Sequence, residues 1–371
     1  MDNNISNIIR SANKTTQKLQ LPTNILIYGA GNCGKMTHDF LISKGLNVVC
    51  FFDEYNCNDI FLENYRILNP FNEDVIECNI NTKIIISVNN ASNDVADIKN
   101  KLERYGYSNI ITFHELYHSY SSDLGQIFWL EPLSSYTDKE DVIFKAASIM
   151  GDAESKEIFY SILKFRLTSD YSYLLPPSEQ TQYFDSTVIT VDHKVRFVDC
   201  GGYDGDTIES LYNIAGTVES IIAFEPDAIN FRKMTIRLSA LTNSIADLML
   251  LLPCGVWSET KSVSFDASNS ASSSISNDYS NVIQVVALDD VLISYKPSFI
   301  KMDIEGAEYN ALLGAKKTIE AHKPNLAICV YHRYDHLWEI PLLLASWNLG
   351  YKFYMRCYGH STFETVLYAV Q

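Results

Sequence analysis

The chain has 371 residues, 47% of them hydrophobic and 20% charged, which is enough for two globular domains and too apolar for a disordered chain. Its formal charge of −16 repels phosphate backbones and anionic lipid, which argues against a nucleic-acid partner and against docking on a membrane surface. Residues 1–20 lack the apolar core of a signal peptide and no apolar run approaches the ~20 residues of a bilayer span, so the expected setting is the cytoplasm, without membrane insertion. The eight cysteines are scattered without a CxxC pair and suit buried free thiols in a reducing compartment.

In chain order, residues 24–28 form the first predicted strand, followed by Gly29-Ala30-Gly31-Asn32-Cys33-Gly34 and a helix over 35–44. A strand over 46–52 ends at Asp53; a strand over 83–88, a helix over 93–105 and a strand over 109–113 complete the first alternating segment. A GxGxxG between strand and helix, with an acid ending the next strand, meets the context requirement for a nucleotide site at Gly29, Gly31, Gly34 and Asp53. This segment resembles the N-terminal Rossmann-like domains of sugar acyltransferases, and one reading of it is a nucleotide or nucleotide-sugar site that presents the acceptor. A docking or dimerising module that keeps the glycine turn for packing fits the same residues equally well, and a homo-oligomer is compatible with either reading.

Residues 117–190 change pattern, with a helix expected over 138–167 and a Tyr-, Pro- and Ser-rich loop over 169–185. The expected division is therefore a Rossmann-like domain (1–116), a helical connector (117–190) and a second α/β domain (191–371). In that last segment strands are predicted at 195–200, 220–224, 248–257, 298–302 and 325–331, alternating with helices at 206–214, 229–241, 307–322 and up to about 347. Two final strands, 351–357 and 365–370, suit a terminal antiparallel pair, giving a seven-stranded sheet.

The chemistry concentrates here. Asp199, Gly201, Gly202, Tyr203, Asp204, Gly205 and Thr207 follow or end the first strand of the segment, and Glu225-Pro226 ends the second. Glycines after a buried strand let the backbone turn tightly against a ligand. Asp199, two positions before the first glycine, suits a ligand bearing an ammonium group and is poorly matched to a pyrophosphate. Glu225 is placed to grip ribose hydroxyls. The donor S-adenosylmethionine, with an amino-acid tail and no phosphate, fits this DxGxxxG arrangement better than NAD does. Asp303, Glu305 and Glu308 sit at the exit of the fourth strand and His332 at the exit of the fifth, where an acid–imidazole group can orient a hydroxyl and take its proton. Asp303 is also a candidate contact to the donor. His336 is expected to be solvated, and Ser272-Ser273-Ser274 to lie in a polar loop, with a loop that covers the donor and a plain flexible loop fitting equally well. Hard carboxylates could hold Mg²⁺ or a similar ion, but no diagnostic ligand spacing is present and no metal is expected.

The segments Phe197–Thr207, Ala223–Asp227, Ala287–Asp290 and Phe299–Glu308, together with Tyr331-His332 and Leu337–Pro341, resemble the FkbM-type methyltransferase family. The resemblance spans about 182–371. It implies a class I fold, S-adenosylmethionine as methyl donor and O-methylation of a saccharide or related secondary-metabolite hydroxyl. A nucleotide- or NAD-dependent oxidoreductase or epimerase is the alternative enzyme reading, opposed by the complete second cofactor-like domain that it leaves unexplained. A non-catalytic scaffold in glycan assembly is the third, opposed by the joint presence of Asp199 and Glu225.

Overall fold

The computed structural model describes residues 6, 9, 19–55, 60–62, 65–241, 244–266, 274–275 and 282–371. The chain divides into two compact units: Met1–Phe144, Glu157–Pro177 and Gly359–Phe363 form the first, and Lys145–Lys156, Ser178–Tyr358 and Glu364–Gln371 the second. Each is an α/β structure with its own sheet, as expected. No helix among the described residues is long and apolar enough to cross a membrane.

In the first unit β1 (Asn24–Tyr28), β2 (Asn47–Phe52), β3 (Ile60–Phe61), β4 (Tyr65–Leu68), β5 (Lys83–Ile86) and β6 (Ile110–Thr112) form a sheet in the order β3-β4-β2-β1-β5-β6. β1 runs parallel to both β2 and β5. Ile25, Leu26 and Ile27 are fully buried, which is why this strand reads as a continuous apolar run instead of an alternating one. Helices Asn32–Ser43 and Val95–Arg104 cross between strands; the second is capped by Asp94, which accepts the Ala96 and Asp97 N–H groups. Thr112 and Glu115 form a capping box that starts the helix Phe113–Leu124. β3, β4 and the helix Glu73–Asn79 escaped the sequence reading because each is too short to show a period.

The second unit contains β7 (Arg196–Cys200), β8 (Val218–Phe224), β9 (Ala246–Leu252), β10 (Gly255–Val256), β11 (Lys261–Asp266), β12 (Ser274–Ile275), β13 (Val282–Val286), β14 (Phe299–Met302), β15 (Asn325–Cys329), β16 (Lys352–Cys357) and β17 (Thr365–Val370). Its main sheet has seven strands in the order β16-β17-β15-β14-β7-β8-β9. The first five strands in sequence are parallel and β17 is antiparallel to both β15 and β16, as the terminal pair predicted. The strand order reverses between β7 and β14, so the crevice at their carboxyl ends is the topological switch point where ligands bind in open α/β sheets. β10 to β13 form a separate small sheet.

Three expected elements are interrupted for local reasons. The long strand over 248–257 is two, β9 and β10. The helix over 138–167 is broken into Glu140–Ser148 and Ala153–Thr168, and Asp152 Oδ1 accepts the Ser155 N–H at 2.7 Å to start the second piece. The helix over 307–322 is broken at Gly314, where a Cβ would stand 2.1 Å from the Trp257 carbonyl oxygen. Helix Glu308–Leu313 ends there, and Lys316–His322 begins with the Asp289 carboxylate accepting the Lys317 and Thr318 N–H groups at 3.0 and 2.8 Å. Asp289 of the Ala287–Asp290 segment is thereby a helix cap.

Candidate active site

The glycine loop leaves β7 under tight constraint. Gly201 has φ +87°, and a Cβ on it would stand 1.9 Å from the Asp303 carbonyl oxygen, so the exits of β7 and β14 touch through a glycine that no other residue can replace. The Gly201 and Gly202 N–H groups both donate to the Phe224 carbonyl at 2.9 Å, tying the loop to the tip of β8. Tyr203 holds a left-handed conformation (φ 45°) with an exposed side chain. Gly205, at φ +89°, starts the helix Asp206–Ala215 and lies against Met234 and Leu238 of the helix Ala228–Ser239. Thr207 is buried in the first turn. Asp204 is ion-paired to Arg237 at 2.5 Å, and Arg237 also reaches Glu209 at 2.8 Å, so Asp204 fastens the loop to its neighbouring helix.

Asp199 lies wholly buried beneath this loop, in register with Lys301 on the adjacent β14. Lys301 Nζ stands 3.0 Å from Asp199 Oδ1 and donates to the Gly201 carbonyl at 2.5 Å. Burial pushes the Asp199 carboxyl up to about 6 against the pull of Lys301. Burial opposes the charge on Lys301, but the Asp199 and Asp303 carboxylates outweigh it and hold the ammonium above its ordinary range. Asp199 Oδ2 has no hydrogen-bond partner, so one buried carboxylate oxygen is left for a donor. The sequence reading did not single out Lys301, although a lysine inside the apolar strand Phe299–Met302 signals a buried partner.

Glu225 stands at the tip of β8 with Oε2 accepting the Tyr203 N–H and Oε1 the Asp227 N–H, both at 2.8 Å. Each oxygen keeps a lone pair for a further donor. Burial pushes its carboxyl up to about 7 against those two N–H groups. Pro226 precedes the helix Ala228–Ser239, whose cap is Asp227, accepting the Ile229 and Asn230 N–H groups.

Beside the loop, at the exits of β14 and β15, an acid–imidazole cluster gathers Asp303, Glu305, Glu308 and His332, the four residues singled out as catalytic. His332 is buried, with Nδ1 2.8 Å from Glu308 Oε1 and Nε2 3.4 Å from Asp303 Oδ1 and 3.5 Å from Glu305 Oε2. Glu308 is fully buried; its Oε1 also accepts the Ile304 N–H at 2.9 Å, and its Oε2 faces His336 Nδ1 at 3.2 Å. Burial opposes the Glu308 charge, but His332 and His336 hold its carboxyl well below the usual range. His332 is likewise disfavoured as a cation by burial, yet Glu308 and Glu305 raise it to about 10. Burial, with Asp303 and Glu308 adding and His332 opposing, pushes Glu305 up to about 8. Glu305 is also held at φ 54°, a strained conformation of the kind that collects at functional sites. His336, expected to be solvated, is instead buried against Glu308: the helix His336–Ser346 begins at this residue and turns its ring inward.

Further residues join this cluster, most of them without a local sequence signal. Tyr183 donates to Asp303 Oδ2 at 2.7 Å, and its ring lies 5.2 Å from Lys301 Nζ. Tyr331 reaches Asp303 Oδ1 at 3.5 Å and Glu364 Oε1 at 3.4 Å, and Gln182 donates to Glu364 Oε2 at 2.5 Å. Of these only Tyr331 was legible, as the neighbour of His332. Ser272 and Ser273 lie outside the described residues, and Ser274 belongs to β12.

In the first unit, Gly29 (φ +109°) would place a Cβ 2.7 Å from the Ser87 carbonyl oxygen, and Gly34 one 2.0 Å from the Gly29 carbonyl oxygen. Both glycines are explained by close packing of strand, loop and helix, whereas a Cβ on Gly31 meets nothing within 4 Å. Asp53 ends β2 and accepts the Tyr55 N–H at 2.8 Å.

Residues 199–353 match the family described as the methyltransferase FkbM domain, and the resemblance read from the motifs is borne out there. The crystal structure of methyltransferase FkbM from Methylobacillus flagellatus KT is similar in fold over 100% of this chain and 99% of that one, with a TM-score of 0.79 and 21% identity. A fibrillarin from Aeropyrum pernix with natively bound S-adenosyl-L-methionine overlaps 49% of this chain and 70% of its own, at 10% identity and a TM-score of 0.32. A putative rRNA-methylase from Clostridium thermocellum overlaps 49% of this chain and 88% of its own, at 12% identity and the same TM-score. No curated protein matches the chain.

Proposed function

We propose that the second unit, which carries the match to the FkbM methyltransferase domain, transfers the methyl group of S-adenosylmethionine to a hydroxyl of a saccharide or related polyol. The observation that carries this reading is the contact between the two halves of the site. The glycine loop, tied to Glu225, closes on the Asp303 carbonyl so tightly that Gly201 has no room for a Cβ. Donor and acceptor pockets built on these two exits would lie side by side at the switch point.

The residues fit the donor. The unpartnered Asp199 Oδ2 offers a buried acceptor toward the ammonium of the amino-acid tail, with Lys301 holding the same carboxylate from β14. Glu225 offers its spare lone pairs to the ribose hydroxyls, and Gly201 and Gly202 supply backbone without side chains for close approach. The sulfonium methyl is already electrophilic, so the protein's task is alignment plus removal of one proton. The acceptor oxygen forms a bond to the methyl carbon as the carbon–sulfur bond breaks. The bonding pair stays on sulfur, giving S-adenosylhomocysteine, and the hydroxyl proton passes to Asp303, beside which Glu305 and His332 stand. Several carboxylates, with Tyr331 at the same place, suit a neutral, hydroxyl-rich acceptor, and the charge of −16 disfavours a phosphate-rich one.

Methyl transfer from labelled S-adenosylmethionine to a panel of mono- and oligosaccharides tests the acceptor class. The expected product is a base-stable methyl ether on one sugar hydroxyl. Transfer to nitrogen or carbon, or exclusively to non-hydroxylated acceptors, would overturn it. A second expected outcome concerns Glu225. Ionised carboxylate accepts ribose hydroxyls better than the protonated acid does, so with its carboxyl near 7 the affinity for S-adenosylmethionine should rise by about tenfold from pH 6 to pH 8. Glu225→Gln should bind weakly and without that pH dependence; an unchanged pH profile in the variant would remove Glu225 from the donor site.

A further inference from the structure

We propose that Asp303, Glu305 and His332 together hold a divalent cation. The binding itself stands apart from the methyl-transfer reading, but its catalytic consequence rests on that reading. His332 is 4% exposed and neither of its ring nitrogens makes a hydrogen bond of good geometry. Nδ1 nevertheless has a fixed neighbour, Glu308 Oε1 at 2.8 Å. Nε2 is aimed between two carboxylate oxygens, Asp303 Oδ1 at 3.4 Å and Glu305 Oε2 at 3.5 Å. Those distances are long for hydrogen bonds. They suit donors on adjacent corners around one ion, because bonds of about 2.1–2.5 Å at right angles place two donors roughly 3–3.5 Å apart. The side chains of Asp303 and Glu305 are partly exposed while that of His332 is buried, so the donors form one wall and leave the opposite positions for water or an acceptor oxygen.

The surroundings have the form that supports a metal-binding imidazole. A ligating histidine is usually oriented by a carboxylate on its other nitrogen, and that carboxylate is itself held. Glu308 is held in this way by the Ile304 and Gly306 N–H groups at 2.9 and 3.3 Å and by His336 at 3.2 Å. Its Oε1 is committed to the two N–H groups and its Oε2 faces His336, which makes it a positioning residue. Asp303 is braced by Tyr183 at 2.7 Å through its other oxygen, so Oδ1 is the one that faces His332. Donor atoms of Asp303, Glu308 and His332 lie within 4.8 Å of one another, which sets the orienting carboxylate beside the imidazole, and Glu305 Oε2 approaches the same Nε2 at 3.5 Å. Two oxygens and one imidazole nitrogen suit Mg²⁺ or Mn²⁺, with Mn²⁺ tolerating the nitrogen better. An ion there would polarise the acceptor hydroxyl and ease loss of its proton before the oxygen takes the methyl group, with nothing oxidised or reduced.

The test is titration of the full chain with Mn²⁺, reading free Mn²⁺ by its electron paramagnetic resonance signal, with S-adenosylmethionine binding followed separately by calorimetry. The expected result is one Mn²⁺ per chain, competed by Mg²⁺. His332→Ala should weaken it at least tenfold, as should Glu305→Gln, a conservative change at a partly exposed side chain. Glu308→Gln should cost about 10- to 100-fold through loss of orientation. Two outcomes overturn the proposal: no depletion of Mn²⁺ by folded wild-type chain, or equal depletion by wild type and both Glu305→Gln and His332→Ala, which would place the ion elsewhere on the acidic surface. Donor binding without Mn²⁺ binding sinks the cation alone; Mn²⁺ binding without donor binding sinks the methyl-transfer reading and leaves the ion.

Discussion

Lys301→Ala is expected to destabilise the chain by about 3–5 kcal/mol, the cost of leaving a buried charge without its partner. Asp199 and Lys301 are neighbours in register on two central strands, exposed by 0% and 2%, and water cannot replace the lost ammonium. The same change removes the donor to the Gly201 carbonyl and so loosens the loop that the site depends on. Urea unfolding followed by circular dichroism measures the loss. The double variant Asp199→Asn, Lys301→Met should recover much of the stability because no unpaired charge remains, yet it should not recover donor affinity. A loss near zero in Lys301→Ala would mean that the pair does not hold the sheet.

Asp303→Asn carries the second large effect, a fall in turnover by about 10²–10⁴ at saturating donor and acceptor, the range for loss of a positioned proton-transfer group. Asp303 is the hub of the cluster: Tyr183 and Tyr331 reach it from two sides and His332 from a third. The amide keeps the volume and the Tyr183 contact, so the fold should persist and the deficit should appear in turnover more than in acceptor KM. A variant with wild-type turnover would take Asp303 out of the chemistry. Wild-type turnover in His332→Ala would equally remove the imidazole, whether it holds a proton or an ion.

Much of this site lay in local sequence. The buried run Phe197–Cys200 followed by glycines, and Ala223–Phe224 followed by Glu225, place loop and acid at neighbouring strand ends, because parallel strands that are apolar on both faces show as uninterrupted runs. Asp303, Glu305 and Glu308 were legible for the same reason, as polar residues directly after the buried strand Phe299–Met302. What escaped is what depends on the third dimension. Lys301 interrupts an apolar strand, but only the β7–β14 register shows that Asp199 is its partner. Tyr183 and Glu364 stand 120 and 61 positions from Asp303 in sequence and join its surroundings only through folding. His336 misled because one helical turn beyond a strand is as often solvated as buried, and the packing of Glu308 decides it. The breaks at Gly151-Asp152 and Gly314 were written in cap and packing residues that hydrophobic periodicity overrides.

The most direct test of the central claim is calorimetric titration of the purified full chain with S-adenosylmethionine, S-adenosylhomocysteine and NAD, beside the Asp199→Asn variant. The account predicts one site per chain for the two sulfur ligands, none for NAD in the second unit, and affinity sharply reduced in the variant. Folded protein that binds neither sulfur ligand, or binds both equally well after Asp199→Asn, would contradict it.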